Sequence, residues 1–330
     1  MAEQYLVYYD SGTSNSRIYL LDDQFRIHYT EKKNIGSKDS SITGSNLVLI
    51  EGLKDLFDAM LSATGISESQ IAGIYASGMI TSPYGLVEVP HLVIPTSIEN
   101  LADSMVCYHE DRLFHRDIYL IPGLKTTGDR ITMVNNMRGE EIEIAGTLDA
   151  LHEKYPNRKI ALILPGSHTH IALVEGDRIT SILSNITGEL FYALKSATIL
   201  SAVLSAETDG LDPDMVRLGT ENLHTYGFNR AIYICHAMRL FNQGTPMQRK
   251  SYAEGVINGD FVKGLAWYCE HEWHDCRTAV IVSNAYMYEL YSVLLENHPY
   301  IKEIGWLPIS KEKSYAIEGL KKILSCKKEK

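Results

Sequence analysis

YLVYYDSGTSNSRIYLLDDQFRI, from Tyr5 to Ile27, reads as a strand, a polar glycine turn and a second strand that ends in a further turn at Asp22-Asp23. The same plan returns in IALILPGSHTHIALVEGDRIT, from Ile160 to Thr180, with its further turn at Glu175-Gly176-Asp177. Gly12 and Gly166 lie nearly half of the 330-residue chain apart, too far for a solenoid repeat and suited to a duplicated domain. In each copy the glycine lets the backbone approach a phosphate closely, while hydroxyls and N–H groups can donate to its oxygens. A plain hairpin turn uses the same residue types. Recurrence of the turn after a matching strand is what separates a paired anion grip from an ordinary turn.

Composition narrows the partners. With 45% hydrophobic and 22% charged residues the chain is that of a globular protein long enough for two cores. A formal net charge of −10 argues against an electrostatic hold on nucleic acid or an anionic membrane, so neither is expected as a partner. Five cysteines without a CxxC spacing suggest reduced thiols and a cytoplasmic setting. The start MAEQYLVYYD has no signal-peptide character, and no apolar run reaches membrane-spanning length. Cys269 to Cys276, CEHEWHDC, has zinc-type side chains but not the spacing of HExxH or of a structural zinc site, and reads as a polar helix end.

Hydrophobic spacing predicts a helix over Asn46–Ala63 closed by Gly65, a strand over Ile71–Ala76, a helix over Ile98–His109 and a strand over Ile118–Ile121. Glu140, Glu141 and Glu143 load the first turns of a helix that starts at Gly139. The boundary candidate Tyr155-Pro156-Asn157-Arg158-Lys159 gives domains 1–154 and 155–330. In the second domain Thr187 is expected to cap a long helix reaching Leu204, followed by strands at Ala231–Cys235 and Thr278–Ser283 and a helix at Tyr286–Leu295. Mixed strands and helices in both halves favour α/β layers.

Asp10 ends a strand directly before Ser11-Gly12-Thr13-Ser14-Asn15, where its carboxylate can hold Mg²⁺ directly or through water. Neither GxxxxGK[ST] nor a strand followed by GxGxxG occurs, so a nucleotide site has to be built from the two hairpins. The loop from Gly78 to Glu88 follows a strand, a position where α/β proteins bind ligands; an ordinary turn explains it equally well. Glu140 and Glu141 either work chemically or simply interact with the helix dipole, which is worth only about 0.3–1 kcal/mol. Adjacent helix residues point about 100° apart, so only one of the two can face a site well.

The stretches DSGTSNSRIYLLD, SGMITSPYGLVEVPHLVIP, IPGL, NMRGEEIEIAGTL, LPGSHTHIALVEGDRI and TGELFYAL occur in an order and spacing that resemble the 2-dehydro-3-deoxygalactonokinases of the acetate and sugar kinase, heat-shock protein and actin superfamily, over about Tyr5 to Leu204. The resemblance implies an α/β fold of two duplicated actin-like, ribonuclease H-like domains with a central cleft. It implies ATP and Mg²⁺ as cofactors and phosphorylation of 2-dehydro-3-deoxy-D-galactonate to its 6-phosphate. By position, Gly12, Thr13, Ser14 and Arg17 look like the first phosphate motif, with Asp10 toward the metal, and Gly166, Ser167, His168 and Thr169 look like the second. Glu140 is the implied general base, with Glu141 as the near alternative. Gly78, Met79, Ser82, Tyr84, Arg138, Gly188 and Glu189 are implied on the substrate side, Arg138 toward the sugar acid's carboxylate.

The chain departs from the family pattern in three places. Ser11 stands where the family has a tryptophan, Leu86 where it has a bulky aromatic, and His170 about where it has a lysine. A kinase for another sugar or sugar acid, and a degenerate nucleotide-binding sensor of the same fold, are therefore kept as alternatives. A homodimer is compatible with the sequence, which does not itself show the assembly.

Overall fold

In the strand Tyr5–Ser11, alternation sends Tyr5, Val7 and Tyr9 into one core and turns Tyr8 and Asp10 to the other face. That core is completed by the helix Leu47–Thr64, which lays Leu49, Ile50, Leu53, Leu56, Phe57 and Met60 on the sheet. Each such side chain contributes roughly 1.5–3 kcal/mol by burial. Tyr9 also donates its hydroxyl to the Leu53 carbonyl at 2.9 Å, tying strand to helix. The helix stops at Gly65, which takes the left-handed C-cap at φ 70°.

The computed structural model describes residues 3–128, 130–310 and 314–327. The chain forms two compact units, Met1–Lys154 with Asp177–Ile179 and Ser314–Lys330, and Tyr155–Gly176 with Thr180–Lys313. This division differs from a single cut after residue 154, because the C-terminal helix Tyr315–Cys326 packs with the first unit, against Glu140–Lys154. Those two helices approach backbone to backbone. A Cβ on Gly146 would stand 1.9 Å from the Tyr315 carbonyl oxygen, and one on Gly319 1.8 Å from that of Ile142. Lys322 adds an ion pair to Asp149 at 2.6 Å. The start of Glu140–Lys154 is thereby fixed within its unit.

The first unit's sheet runs Ile27–Lys33, Ser16–Leu21, Tyr5–Ser11, Ile71–Gly78, Arg116–Leu120, Val106–Glu110. The first three strands are an antiparallel meander, and the next two join in parallel. The second unit repeats this with Arg178–Ile186, His168–Glu175, Lys159–Pro165, Thr278–Ser283 and Glu303–Pro308. There too a hairpin is followed by two parallel neighbours. The expected duplication of an α/β unit is borne out over five strands of each sheet, and Val106–Glu110 has no counterpart beyond Glu303–Pro308 among the described residues. No helix among the described residues is long and apolar enough to cross a membrane.

Three local expectations change. The helix at Ile98 ends at Asp103, and Val106–Glu110 is an antiparallel strand on Arg116–Leu120, as the β-branched and aromatic residues Val106 and Tyr108 prefer. Ala231–Cys235 belongs to the helix Phe228–Leu240, whose buried face is Ala231, Ile232 and Cys235; a short apolar run does not separate a strand from a buried helix. The helix after Thr187 runs only from Gly188 to Ala197 before a break and a short helix at Ser201–Leu204. Thr187 makes no side-chain cap, because its hydroxyl is bonded to Thr169.

Asp22 holds the second turn of the first copy. Its buried carboxylate accepts from the backbone N–H groups of Gln24 and Arg26 at 2.9 Å each and from Arg26 Nε at 2.6 Å, with His28 Nε2 at 3.0 Å. Although burial opposes its charge, His28, Arg26 and Gln24 together hold its pKa far below the usual carboxylate range. A depressed folded-state pKa stabilises the fold above the unfolded value of about 4, and that stability is lost as pH falls through the folded value. Asp22→Asn is expected to cost about 3 kcal/mol at pH 7, and to flatten the acid limb of a plot of unfolding midpoint against pH. Equal losses at pH 2 and pH 7 would refute the charge-based account.

Candidate active site

Because Tyr8 and Asp10 share a strand face, they meet the start of the helix Glu140–Lys154 inside the first unit. Tyr8, Asp10, Ser11, Gly12, Gly78, Arg138, Gly139, Glu140, Ile142, Glu143 and Ala316 enclose a cavity of about 220 Å³. Five of the residues singled out in the sequence come together here: Asp10, Gly12, Gly78, Arg138 and Glu140. Thr13, Ser14 and Arg17 lie on the exposed rim of the same hairpin, with Arg17 paired across from Asp10 in the register. Surrounding protein pushes the Asp10 carboxyl up, while Arg17 and Lys32 pull it back. Tyr8, hydrogen-bonded to Ser77 at 2.7 Å, has its phenol pushed up by burial and then by the Asp10 charge.

The helix start sorts its three carboxylates. Glu140 and Glu143, three residues apart and so on one face, both line the cavity, whereas Glu141 turns into the protein. Glu140 accepts from the Arg138 N–H at 3.2 Å. Glu141 accepts from the Gly139 N–H at 2.7 Å, and its other oxygen is buried without a partner. Glu143 makes no hydrogen bond among the described residues, and burial, then Asp10, then Glu140 push its carboxyl up to about 8. Sequence reasoning counted Glu143 only as helix-dipole charge. Its spacing from Glu140 was the available signal.

Glu141 reaches about 8 as well, through burial first and Glu140 second. A folded-state pKa above the unfolded one means that the fold holds the proton more tightly, so stability falls as pH rises from about 4.5 toward 8. Glu141→Gln, neutral at every pH, is expected to melt higher than wild type at pH 9 and close to it at pH 5. A variant that melts lower at pH 9 would show that the ionised carboxylate is needed.

Arg138 is occupied. Its Nη1 donates to the Thr81 carbonyl at 2.6 Å and to the Thr81 hydroxyl, and its Nη2 lies 3.3 Å from the Val89 carbonyl and 3.2 Å from the His91 ring. It thus staples the loop that follows Gly78. His91 has its pKa lowered to about 4 by burial first and the Arg138 charge second, so it stays neutral beside the guanidinium. Met79, Ser82 and Tyr84, from the same loop, do not line the cavity; Ser82 is buried and Tyr84 is exposed. Leu86 fills the core under Leu47–Thr64, and Ser11 lines the cavity with its hydroxyl on Ser16 at 2.8 Å.

Each glycine hairpin rests on the start of a helix. In the first unit Ser37 and Lys38 donate their N–H groups to the Gly12 and Thr13 carbonyls at 3.3 and 2.9 Å. In the second Glu189 donates to the Ser167 carbonyl at 2.7 Å. Both contacts require glycine, since a Cβ on Gly36 would stand 2.4 Å from the Thr13 oxygen and one on Gly188 2.3 Å from the Gly166 oxygen. The duplication therefore extends beyond the hairpins to their supports, a correspondence that the sequences around Gly36 and Gly188 do not advertise. With carbonyls held this way, the N–H groups of Thr13 and Ser14, and of Gly166 and Ser167, have no acceptor among the described residues and are available to an anion.

In the second hairpin Gly166, Ser167 and His168 are exposed, and His168 Nε2 lies 3.1 Å from Glu189. Thr169 is different. It points inward, with its hydroxyl on Thr187 at 2.8 Å and on Tyr291, so its side chain supports the turn from below. Gly188 and Glu189 likewise serve the hairpin through their contacts with Gly166, Ser167 and His168. His170 is buried on Ser184 at 2.9 Å, and burial together with His168 lowers its pKa to about 4, so it supplies no cation at neutral pH.

A doubled unit of antiparallel hairpin and parallel strands, with each glycine hairpin seated on a helix start, is the actin-like ATPase class of fold. The profile of the 2-keto-3-deoxy-galactonokinase family matches residues 10–305, and the chain belongs to that family. It is 27% identical over 200 residues to a Rhizobium meliloti (strain 1021) protein assigned as a 2-dehydro-3-deoxygalactonokinase, and 21% identical over 199 residues to the 2-dehydro-3-deoxygalactonokinase of Escherichia coli (strain K12). Each alignment covers 60% of this chain, and 59% and 63% of those relatives, so it spans less than two thirds of their length. Among solved structures, a Sinorhizobium meliloti protein assigned to the same activity superposes with a TM-score of 0.72 at 21% identity, over 98% of each chain.

Proposed function

We propose that this chain transfers the terminal phosphoryl group of ATP to the 6-hydroxyl of 2-dehydro-3-deoxy-D-galactonate. The observation that carries this reading is the family match over residues 10–305 on a chain whose first unit gathers Asp10, Glu140 and Glu143 beside a glycine hairpin. Phosphoryl transfer asks for positioned phosphates, neutralised charge and a place for the hydroxyl proton. In the first unit the hairpin offers the Thr13 and Ser14 N–H groups to phosphate, and in the second unit the hairpin offers those of Gly166 and Ser167.

Asp10 fits Mg²⁺ as a hard oxygen donor, and the repulsion between it and Glu143 is the kind that a cation relieves. Among the described residues no group of three or more acidic, histidine or cysteine side chains could cage a metal. The fit is thus to an ion held by one or two carboxylates, water and the phosphates. When bound, Mg²⁺ would supply charge neutralisation on the transferring group. Glu140 and Glu143 share the face that would meet the acceptor hydroxyl. Of the two, Glu143 has no hydrogen bond among the described residues and is the better placed to take its proton once ionised, its carboxyl standing at about 8 in the free protein.

One observation favours a second reading, a kinase for a different sugar acid. Arg138, the cation expected for the substrate's carboxylate, already serves Thr81, Val89 and His91. ADP release measured over a panel of keto-deoxy sugar acids separates the readings. Turnover restricted to 2-dehydro-3-deoxygalactonate supports the first, and turnover of another acid alone supports the second. ATP binding with no turnover of any acid points to a sensor.

A further inference from the structure

The second unit buries a chain of polar groups that phosphate binding does not itself use. It starts at Glu254, which is 5% exposed and whose carboxylate receives Asn258 Nδ2 at 2.9 Å and the Tyr286 hydroxyl at 3.3 Å. With its amide nitrogen turned to a carboxylate, Asn258 presents Oδ1 the other way, and there it accepts the Tyr291 hydroxyl at 3.2 Å. Having spent its proton on Asn258, Tyr291 can only accept from Thr169, whose hydroxyl then accepts from Thr187 at 2.8 Å. Every member has a partner, and the Asn258 amide, donating to the Glu254 carbonyl as well as to its carboxylate, fixes the direction of the Tyr291 proton. Such a buried network costs desolvation and returns conformational specificity more than stability.

The end of the chain gives its use. Thr169 is the residue on which the second glycine hairpin closes, paired with Pro165 across the turn. The tip of that hairpin is already held by the Glu189 N–H on the Ser167 carbonyl. A turn gripped only at its tip can still rock about its root.

We propose that Tyr291 is a positioning residue for the second glycine hairpin, passing the fixed geometry of Glu254 and Asn258 to Thr169 so that Gly166 to His168 stay shaped for a polyphosphate. This rests on the reading of that hairpin as a phosphate site. Tyr291 packs on Phe261 with ring centroids 5.0 Å apart, so Tyr291→Phe keeps the ring in place and removes only the hydroxyl.

The test combines amide hydrogen exchange at Gly166, Ser167 and His168 with calorimetric binding of ATP and of adenosine, in the presence of Mg²⁺, on wild type and Tyr291→Phe. Expected are ATP-conferred protection of these amides about tenfold weaker in the variant and ATP binding about tenfold weaker, the scale of one buried hydrogen bond, with adenosine affinity unchanged. Thr169→Val, which breaks the same link from the other side, is expected to behave alike and serves if the first variant does not fold. Unchanged hairpin exchange and unchanged ATP binding in either folded variant, whatever the loss of melting temperature, overturn the positioning role. If ATP gives these three amides no protection in wild type, the phosphate reading of the hairpin fails first, and the proposal fails with it.

Discussion

Asp10→Asn is expected to remain folded and to lose about 10³-fold in kcat, within the range seen when one charged group is removed from a transition state. The carboxylate ends a strand whose interior, from Val7 to Tyr9, is fully buried, so its position is set by the sheet and not by its own contacts. Its nearest cations, Arg17 and Lys32, only partly offset the surrounding protein that opposes its charge. Neutralising Asp10 therefore relieves that cost in the free protein. The melting temperature is expected to hold or rise while turnover collapses, a split that calorimetry and an ADP-release assay measure side by side. A parallel fall in both would mark Asp10 as structural.

Glu143→Gln carries the second large expectation, a loss of about 10²–10⁴-fold in kcat with little change in ATP affinity. The comparison with Glu140→Gln decides the assignment. Glu140 is engaged by the Arg138 N–H, and as a glutamine it keeps an oxygen to accept that bond, so the milder loss is expected there. Glu143 has no such tie, lies in the cavity and faces Asp10. If Glu140→Gln is the more damaging of the two, the proton passes to Glu140 and Glu143 is a neighbour that tunes it. Because Glu143 holds its proton up to about pH 8, the variant should melt close to wild type at pH 7 and no lower above pH 8.

Much of this is legible in the sequence. The duplicated hairpins at Gly12 and Gly166, the strand that ends in Asp10 and the acidic helix start at Glu140 can each be read from alternation, turn chemistry and helix-dipole charge. The duplication implies that the two sheets share a plan, while the order of strands within each comes from the structure. The sequence reading missed what depends on side-chain direction in three dimensions. Thr169, with the same hydroxyl as Thr13, faces the core instead of the turn because strand alternation places it inward. Arg138 and Glu141 carry the right charges for substrate and catalysis, yet one is consumed by Thr81, Val89 and His91 and the other is buried. Glu143 is masked in the sequence by the adjacent pair Glu140-Glu141, while the helix repeat pairs Glu140 with the residue three further on. The close seats at Gly36 and Gly188 could not be read at all, since nothing local marks a glycine as touching a carbonyl from another turn.

The central claim is that these parts phosphorylate a keto-deoxy sugar acid at the expense of ATP. The most direct measurement is to incubate the purified protein with MgATP and 2-dehydro-3-deoxy-D-galactonate, follow ADP release, and locate the new phosphate ester by phosphorus NMR. ADP formation that depends on the sugar acid, with the ester at the 6-position, is the predicted result. Tight ATP binding without sugar-acid-dependent ADP release, or an ester on any other oxygen, would contradict it.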